Sequence, residues 1–280
     1  MNIIYLHTEP MGYTLATIKE LTKLGAKVHL IMRDKNKISP YIPPKMKNVF
    51  FYKRSNQTRS SIIQLANKIK PNLVVVSGWV DKTYLCVARY LKKKGCKVVC
   101  GLDGQWYSTP KQWLAYYLGK IGFFSFFFSH AWVAGVFQYE YAKKLSFTKD
   151  NIIFDLYSAD LSIFSKNLKK NLNLKKKKYP HRFLFVGRFN QVKGIDNLLK
   201  AWELLGESKK DWELHLIGNG KLKIKKKQSQ RIYVKKFLKS EDLLKESKYA
   251  GCFILPSTYE PWGVVVHEFA AAGLPLITSN

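Results

Sequence analysis

The chain has 280 residues, 46% of them hydrophobic and 24% charged. That length and balance allow about two domains with cores of their own and exclude wholesale disorder or a coiled coil. The formal net charge is +29, from 48 Lys and Arg against 19 Asp and Glu. Such an excess suits an anionic partner: nucleic acid, an acidic membrane face or a phosphorylated substrate. Nearly all of it is lysine, however. Arginine stands only at positions 33, 54, 59, 89, 182, 188 and 231, and nucleic-acid readers depend on arginine for bidentate contacts. A lysine bias spread along the chain explains the charge equally well. The cysteines, Cys86, Cys96, Cys100 and Cys252, form no CxxC pair. No metal site is expected from them, only buried thiols in a reducing compartment.

The N-terminus enters a strand at once, with no basic leader and no cleavage site, so a cytoplasmic chain is expected. In chain order, Asn2–Leu6 predicts a strand, Thr14–Leu24 a helix closed by Gly25, and Lys27–Met32 the next strand. Val49–Tyr52, Asn72–Ser77 and Lys97–Cys100 predict further strands, with helices over Ser60–Ile69 and Thr83–Lys94. Short apolar runs alternating with helical patterns mark a parallel, doubly wound sheet. Trp113–Phe137 is long and aromatic, but Lys120 and His130 interrupt it and Gly119, Gly122, Ser125 and Ser129 dilute it. It predicts a helix, Lys111–Phe128, followed by a strand over Ala131–Ala134, rather than a membrane span. That helix and the surplus lysines suit an anionic bilayer surface.

The texture changes at 166–181, where two lysine runs bracket a polar stretch, and this segment is expected to be a solvated linker. The rhythm then restarts. Arg182–Val186, Trp212–Ile217, Arg231–Val234, Cys252–Leu255 and Leu276–Ile277 predict strands, and Ile195–Leu205, Glu241–Lys248 and Val264–Ala272 predict helices. The expected organisation is a first domain over 1–165, the linker, and a second domain over 182–280 that stops short of a closing helix.

Two loops of the second domain carry chemistry. After the first strand, Gly187-Arg188-Phe189-Asn190-Gln191-Val192-Lys193-Gly194 leads into a helix. Backbone N–H groups at such a turn favour an anion, Arg188 offers a bidentate fork and Lys193 a point charge. An ordinary strand–helix turn with solvated bases is the plainer reading of that loop. After Leu255, the stretch from Pro256 through Glu260-Pro261-Trp262-Gly263-Val264 to Glu268 places two carboxylates near one helix start. Both can accept hydrogen bonds from sugar hydroxyls, and the N–H groups near Gly263 and Val264 can receive a phosphate. Pro261 suits the first turn of that helix. The plainer alternative makes Glu260 a cap and Glu268 a surface residue.

Glu260 and Glu268 with seven residues between them, preceded by Pro256-Ser257 and followed by Gly273-Leu274-Pro275, resemble the retaining glycosyltransferases of family four (group 1). Gly187-Arg188-Phe189 with Lys193-Gly194, Ile217-Gly218-Asn219-Gly220 and Lys236-Phe237-Leu238 fit the same family, and Asn151–Phe164 is similar to its crossover between domains. The resemblance is strong after residue 182 and looser before it. It implies a GT-B architecture, two Rossmann-like α/β domains facing across a cleft, here with the second incomplete. It implies that Arg188 and Lys193 hold a diphosphate, that Glu268 takes the ribose hydroxyls and Glu260 those of the transferred sugar, and that Phe237 lies in the base loop. The partners would be a nucleotide-diphosphate sugar as donor substrate and a glycan or lipid-linked acceptor, with no cofactor, no metal and no nucleic acid. Gly12, in the loop after the first strand, and Asp103 would serve the acceptor, although Asp103 also suits an Asx turn. An inactive or partial glycosyltransferase and a basic nucleic-acid-binding protein are the competing readings.

Overall fold

The structure, a computed structural model, describes residues 1–33, 43–166, 168–224 and 231–279. The chain divides into two compact units between Ser158 and Ala159. The first unit contains strands β1 (Asn2–His7), β2 (Lys27–Met32), β3 (Val49–Lys53), β4 (Leu73–Ser77), β5 (Lys97–Leu102), β6 (His130–Val133) and β7 (Ile152–Ile153). They form one sheet in the order β3-β2-β1-β4-β5-β6-β7, every neighbouring pair parallel. The connecting helices are α1 (Gly12–Lys23), α2 (Arg59–Ile69), α3 (Lys82–Lys93), α4 (Pro110–Lys120), α5 (Phe123–Phe127) and α6 (Val136–Lys144).

Local chemistry sets these helix starts. The Thr58 hydroxyl accepts from the Ser61 N–H at 3.1 Å while the Ser61 hydroxyl accepts from the Thr58 N–H, a reciprocal cap that opens α2. Asp81 accepts from the Tyr84 N–H and starts α3. Thr109 and Gln112 cap α4, whose first residue is Pro110, a position where the missing N–H needs no partner.

The aromatic segment expected as one helix is two. Ile121 ends α4, and Gly122 takes a left-handed conformation at φ +84° before α5 begins. The break turns Phe124 and Phe128 into the core while Phe126 stays exposed. No helix of the described residues is long and apolar enough to cross a membrane.

The second unit opens with α7 (Leu161–Phe164) and α8 (Leu168–Lys177), then β8 (Arg182–Val186), α9 (Ile195–Leu204), β9 (Glu213–Ile217), β10 (Ile232–Lys235), α10 (Ser240–Lys248), β11 (Cys252–Leu255), α11 (Val264–Ala271) and β12 (Leu276–Thr278). Its sheet runs β10-β9-β8-β11-β12, again wholly parallel. The division falls earlier than the expected residue 165, because Phe164 is a core residue of this unit, with its ring 6.0 Å from that of Phe269. The segment 166–181, expected as a solvated linker, contains a helix; Asn167 within it lies outside the described residues. Leu168 and Leu172, one turn apart, lie against Gly273, and Asn171 and Lys175 are buried. Lysine density masked a leucine spacing that suffices for a helix once a surface is present to pack on.

Phe124 is 1% exposed with its ring edge-on to Trp79 at 5.0 Å, whereas Phe126 is 48% exposed. Replacing Phe124 by Ala is expected to destabilise the protein by about 3–5 kcal/mol, and Phe126→Ala by less than about 1.5 kcal/mol. Urea denaturation of the two variants checks the assignment of the two rings to core and surface.

Candidate functional site

The chain runs β8, β9, β10 outward along one side of the second sheet, then returns to the other side of β8 with β11 and β12. The loops leaving the C-terminal ends of β8 and β11 therefore part in opposite directions, which opens a crevice where ligands of parallel sheets bind. The two motif loops are these two loops.

They touch. Gly194 adopts φ +65°, and a Cβ added there would lie 1.8 Å from the Pro256 carbonyl oxygen, so only glycine lets the backbones approach this closely. The N–H groups of Thr258 and Tyr259 both donate to the Val192 carbonyl, at 2.9 and 3.2 Å. This seam carries Lys193, at the end of the single 3-10 turn Gln191–Lys193, against Glu260. The Lys193 ammonium pairs with Glu260 Oε2, and the Ser257 hydroxyl donates to the same oxygen at 3.0 Å. Both charged side chains are largely shielded, at 17% and 25% exposure. Arg188, by contrast, is exposed, and no ion pair engages it among the described residues.

A second seam joins the β8 loop to the β9 loop. Phe189 donates its N–H to the Asn219 carbonyl at 2.9 Å and pairs with Gly220 as an isolated parallel bridge. A Cβ on Gly218 would lie 1.9 Å from the Gly187 oxygen, and one on Gly220 would lie 2.1 Å from the Phe189 oxygen. The Asn219 side chain accepts from the Phe237 N–H at 3.4 Å, which ties the loop after β10 to the same rim.

The helix α11 begins at Val264, with Gly263 at φ +67° before it. Pro261, expected in the first turn, lies outside the helix: the left-handed turn at Gly263 must intervene before helical geometry can start. Glu268 follows one turn into α11. Burial pushes its carboxyl up to about 7, and no cation or hydrogen-bond donor among the described residues offsets that desolvation. Next to it in the chain, Phe269 is fully buried and stacks on Phe253 at 4.5 Å. His267 is exposed, its ring edge-on to Trp262 at 5.6 Å.

Eight expected residues thus gather at the C-terminal ends of β8, β9, β10 and β11: Arg188, Lys193, Gly218, Phe237, Glu260, Gly263, Val264 and Glu268. The other two belong to the first unit. Gly12 is the first residue of α1, directly after the β1 loop, and Asp103 follows β5. Desolvation raises the Asp103 carboxyl above the usual carboxylate range, although the residue as a whole is exposed; a hydrogen bond from Tyr157 opposes the rise. The Tyr157 ring meets Tyr13 edge-on at 4.7 Å, so the Gly12 and Asp103 neighbourhoods are connected. Sequence reasoning assigned no role to Ser257, Asn219 or Tyr157. The first two sat inside quoted motifs, but a hydroxyl or amide shows its target only once the loops are folded.

The Glu268 shift has a consequence for stability. A carboxyl whose pKa is higher folded than unfolded favours the native state most at low pH. That contribution is complete below the ordinary carboxylate range and is lost as pH rises through about 7. Stability is therefore expected to fall between pH 5 and pH 8 by a contribution on the order of 3 kcal/mol that Glu268→Gln abolishes. Denaturation midpoints of the two proteins across that range test this.

Residues 165–280 match the family model described as glycosyl transferases group 1. Over 108 residues the chain is 34% identical to glycogen synthase of Mycobacterium tuberculosis, an alignment covering 36% of this chain and 26% of that protein. It is 31% identical over 104 residues to an uncharacterized glycosyltransferase of Methanocaldococcus jannaschii, covering 35% of this chain and 26% of that one. The chain thus spans about a quarter of the length of these curated relatives. Among solved structures, HepE of Anabaena in complex with UDP superposes with a TM-score of 0.69 at 14% identity, over 99% of this chain and 80% of that one. Sucrose-phosphate synthase from Thermosynechococcus elongatus gives 0.66 at 16% identity, also over 99% and 80%. Parallel sheets in both units and these matches lead to one conclusion: the chain has the GT-B fold, and its residues 165–280 are similar to the group 1 glycosyl transferases.

Proposed function

We propose that this chain transfers a hexose-type sugar from a nucleotide-diphosphate sugar to a glycan or glycolipid acceptor, with retention at the anomeric carbon. The observation that carries the reading is the Lys193–Glu260 pair at the β8/β11 crevice, together with exposed Arg188 after β8 and desolvated Glu268 on α11. Two cations and the first N–H groups of α11, at Gly263 and Val264, suit a diphosphate. As the bond from the anomeric carbon to the diphosphate breaks, negative charge collects on the leaving phosphate. Arg188 and Lys193 then stabilise the transition state more than the ground state. No metal is assigned a part in this reading.

Glu260, oriented by Lys193 and Ser257, would accept from hydroxyls of the transferred sugar. Glu268 would accept from the ribose hydroxyls, and the Gly218 turn and the loop at Phe237 would flank the base. Gly12 and Asp103 would serve the acceptor on the first unit. The neighbours add support: HepE was crystallised with UDP and with UDP-glucose, and WaaG, with a TM-score of 0.65 and 14% identity, is described as a glycosyltransferase of lipopolysaccharide biosynthesis. A role in cell-surface polysaccharide synthesis, on the cytoplasmic side of a membrane, is the setting these similarities favour.

A thermal-shift screen against nucleoside diphosphates and their sugars is the direct test, since a ligand at a hundred times its Kd adds about 2.7 kcal/mol of stability. Arg188→Ala and Glu268→Ala are each expected to weaken nucleoside-diphosphate binding about tenfold or more by calorimetry. Unchanged affinity in both variants overturns the reading, and an inverted anomeric configuration in the product, seen by NMR, overturns retention. A carboxyl accepts on both oxygens from the ribose hydroxyls, and most strongly, when it is ionised, so binding is also expected to strengthen from pH 6 to pH 8 in the parent. The part of that dependence due to Glu268 disappears in Glu268→Gln.

A further inference from the structure

The helix α4 is built inside out for a helix on the surface of a water-soluble unit. Its inward face is Ala115 and Gly119, one turn apart, and a Cβ added at Gly119 would lie 2.8 Å from the Leu145 carbonyl oxygen. That close approach leaves no room for large side chains on the core side. The large apolar residues point outward instead: Trp113, Leu114, Tyr117 and, at the C-cap, Ile121 fall at spacings of three and four on one stripe. Their exposures are 43%, 61%, 61% and 80%. A surface helix ordinarily does the reverse, burying its large apolar stripe. Phe126, on α5, is also exposed, at 48%, and the Arg89 guanidinium lies 3.6 Å from its ring centroid.

The stripe is held firmly in place. The Thr109 and Gln112 cap fixes the helix start, and the Trp113 ring meets Trp106 edge-on at 5.2 Å. Cations bracket it: Lys111 at one end and Lys120 at the other, the latter with its ammonium 5.3 Å from the Tyr116 ring centroid.

We infer that the outward stripe of α4 is a membrane-docking surface that lies in the headgroup region of a bilayer rich in anionic lipid. The chemistry of the stripe carries this. Trp and Tyr rings suit the boundary between headgroups and acyl chains, Leu114 and Ile121 supply insertion, and flanking lysines reach the phosphates. An eleven-residue helix is too short to span and lies in the plane of the surface. Charge decides between the two candidate occupants. A second copy would bring Lys111, Lys120, Arg89 and a further +29 against the first. An anionic bilayer meets the same charges with attraction. This surface stands independently of the nucleotide-sugar reading, and it would bring the first unit to a lipid-linked acceptor.

The experiment is co-sedimentation of the full chain with vesicles of phosphatidylcholine alone and of phosphatidylcholine mixed with phosphatidylglycerol. Binding is expected to the mixed vesicles only and to fall with added salt. The double variant Leu114→Glu, Ile121→Glu is expected to lower the partition coefficient by about tenfold or more, since it removes two inserting side chains. Its melting temperature and nucleoside-diphosphate binding are expected to stay those of the parent, so a failure of docking and a failure of the donor site are read separately. Equal sedimentation of parent and variant, equal binding to neutral vesicles, or no binding by the parent each overturns the inference. A parent dimer in sedimentation velocity that the double variant dissolves overturns it in favour of a second copy.

Discussion

The close approach of Gly194 to Pro256 is the constraint on which the candidate site depends. A parallel sheet with order β10-β9-β8-β11-β12 opens a crevice between the loops after β8 and β11. Because Gly194 has no side chain, the β8 loop comes into backbone contact with the start of the β11 loop, and Lys193 arrives beside Glu260. Gly218 and Gly220 perform the same service toward the β9 loop. Three glycines therefore join the ends of β8, β9 and β11 into one rim, to which the Asn219 side chain ties the loop after β10.

The electrostatics of that rim differ from those of the chain. The net charge of +29 comes from lysines spread along the chain, whereas at the crevice Lys193 faces a carboxylate. Lys193 is compensated by Glu260, so it is held in place rather than left to wander in solvent. A partly shielded pair of this kind is weak evidence for stability, because desolvation offsets much of its attraction. Its value lies in geometry. Glu268 carries the opposite burden, a carboxyl desolvated with nothing among the described residues to stabilise its charge. Perturbed groups of this kind concentrate where a ligand completes the environment.

The first unit shows a different use of the same small residues. Gly119 lets α4 sit so close to the Leu145 backbone that bulk is displaced to the outer face. Where glycines in the second unit bring loops together around a polar crevice, this one turns a helix into an apolar ridge flanked by cations.

Alternating apolar runs and helical periods were enough to place most strands and helices within a residue or two, since burial on both faces of a parallel sheet leaves short, nearly continuous hydrophobic runs. That Arg188, Lys193, Glu260 and Glu268 belong to the two loops and the helix at the ends of β8 and β11 was also legible, because the pattern marks those strand ends; that Lys193 pairs with Glu260 was not. Three more things were decided only by tertiary structure. The lysine-rich stretch after 166 became a helix because Leu168 and Leu172 found Gly273 to pack against. The aromatic run split at Gly122, where a left-handed turn sends Phe124 inward and leaves Phe126 outside. Ser257 and Asn219 acquired roles only when folding brought their targets within hydrogen-bond distance. Local pattern determines which segments form strands and helices, because that depends on each segment's own burial. Which face turns outward, and which side chains meet, depends on partners far along the chain, and those are set by packing.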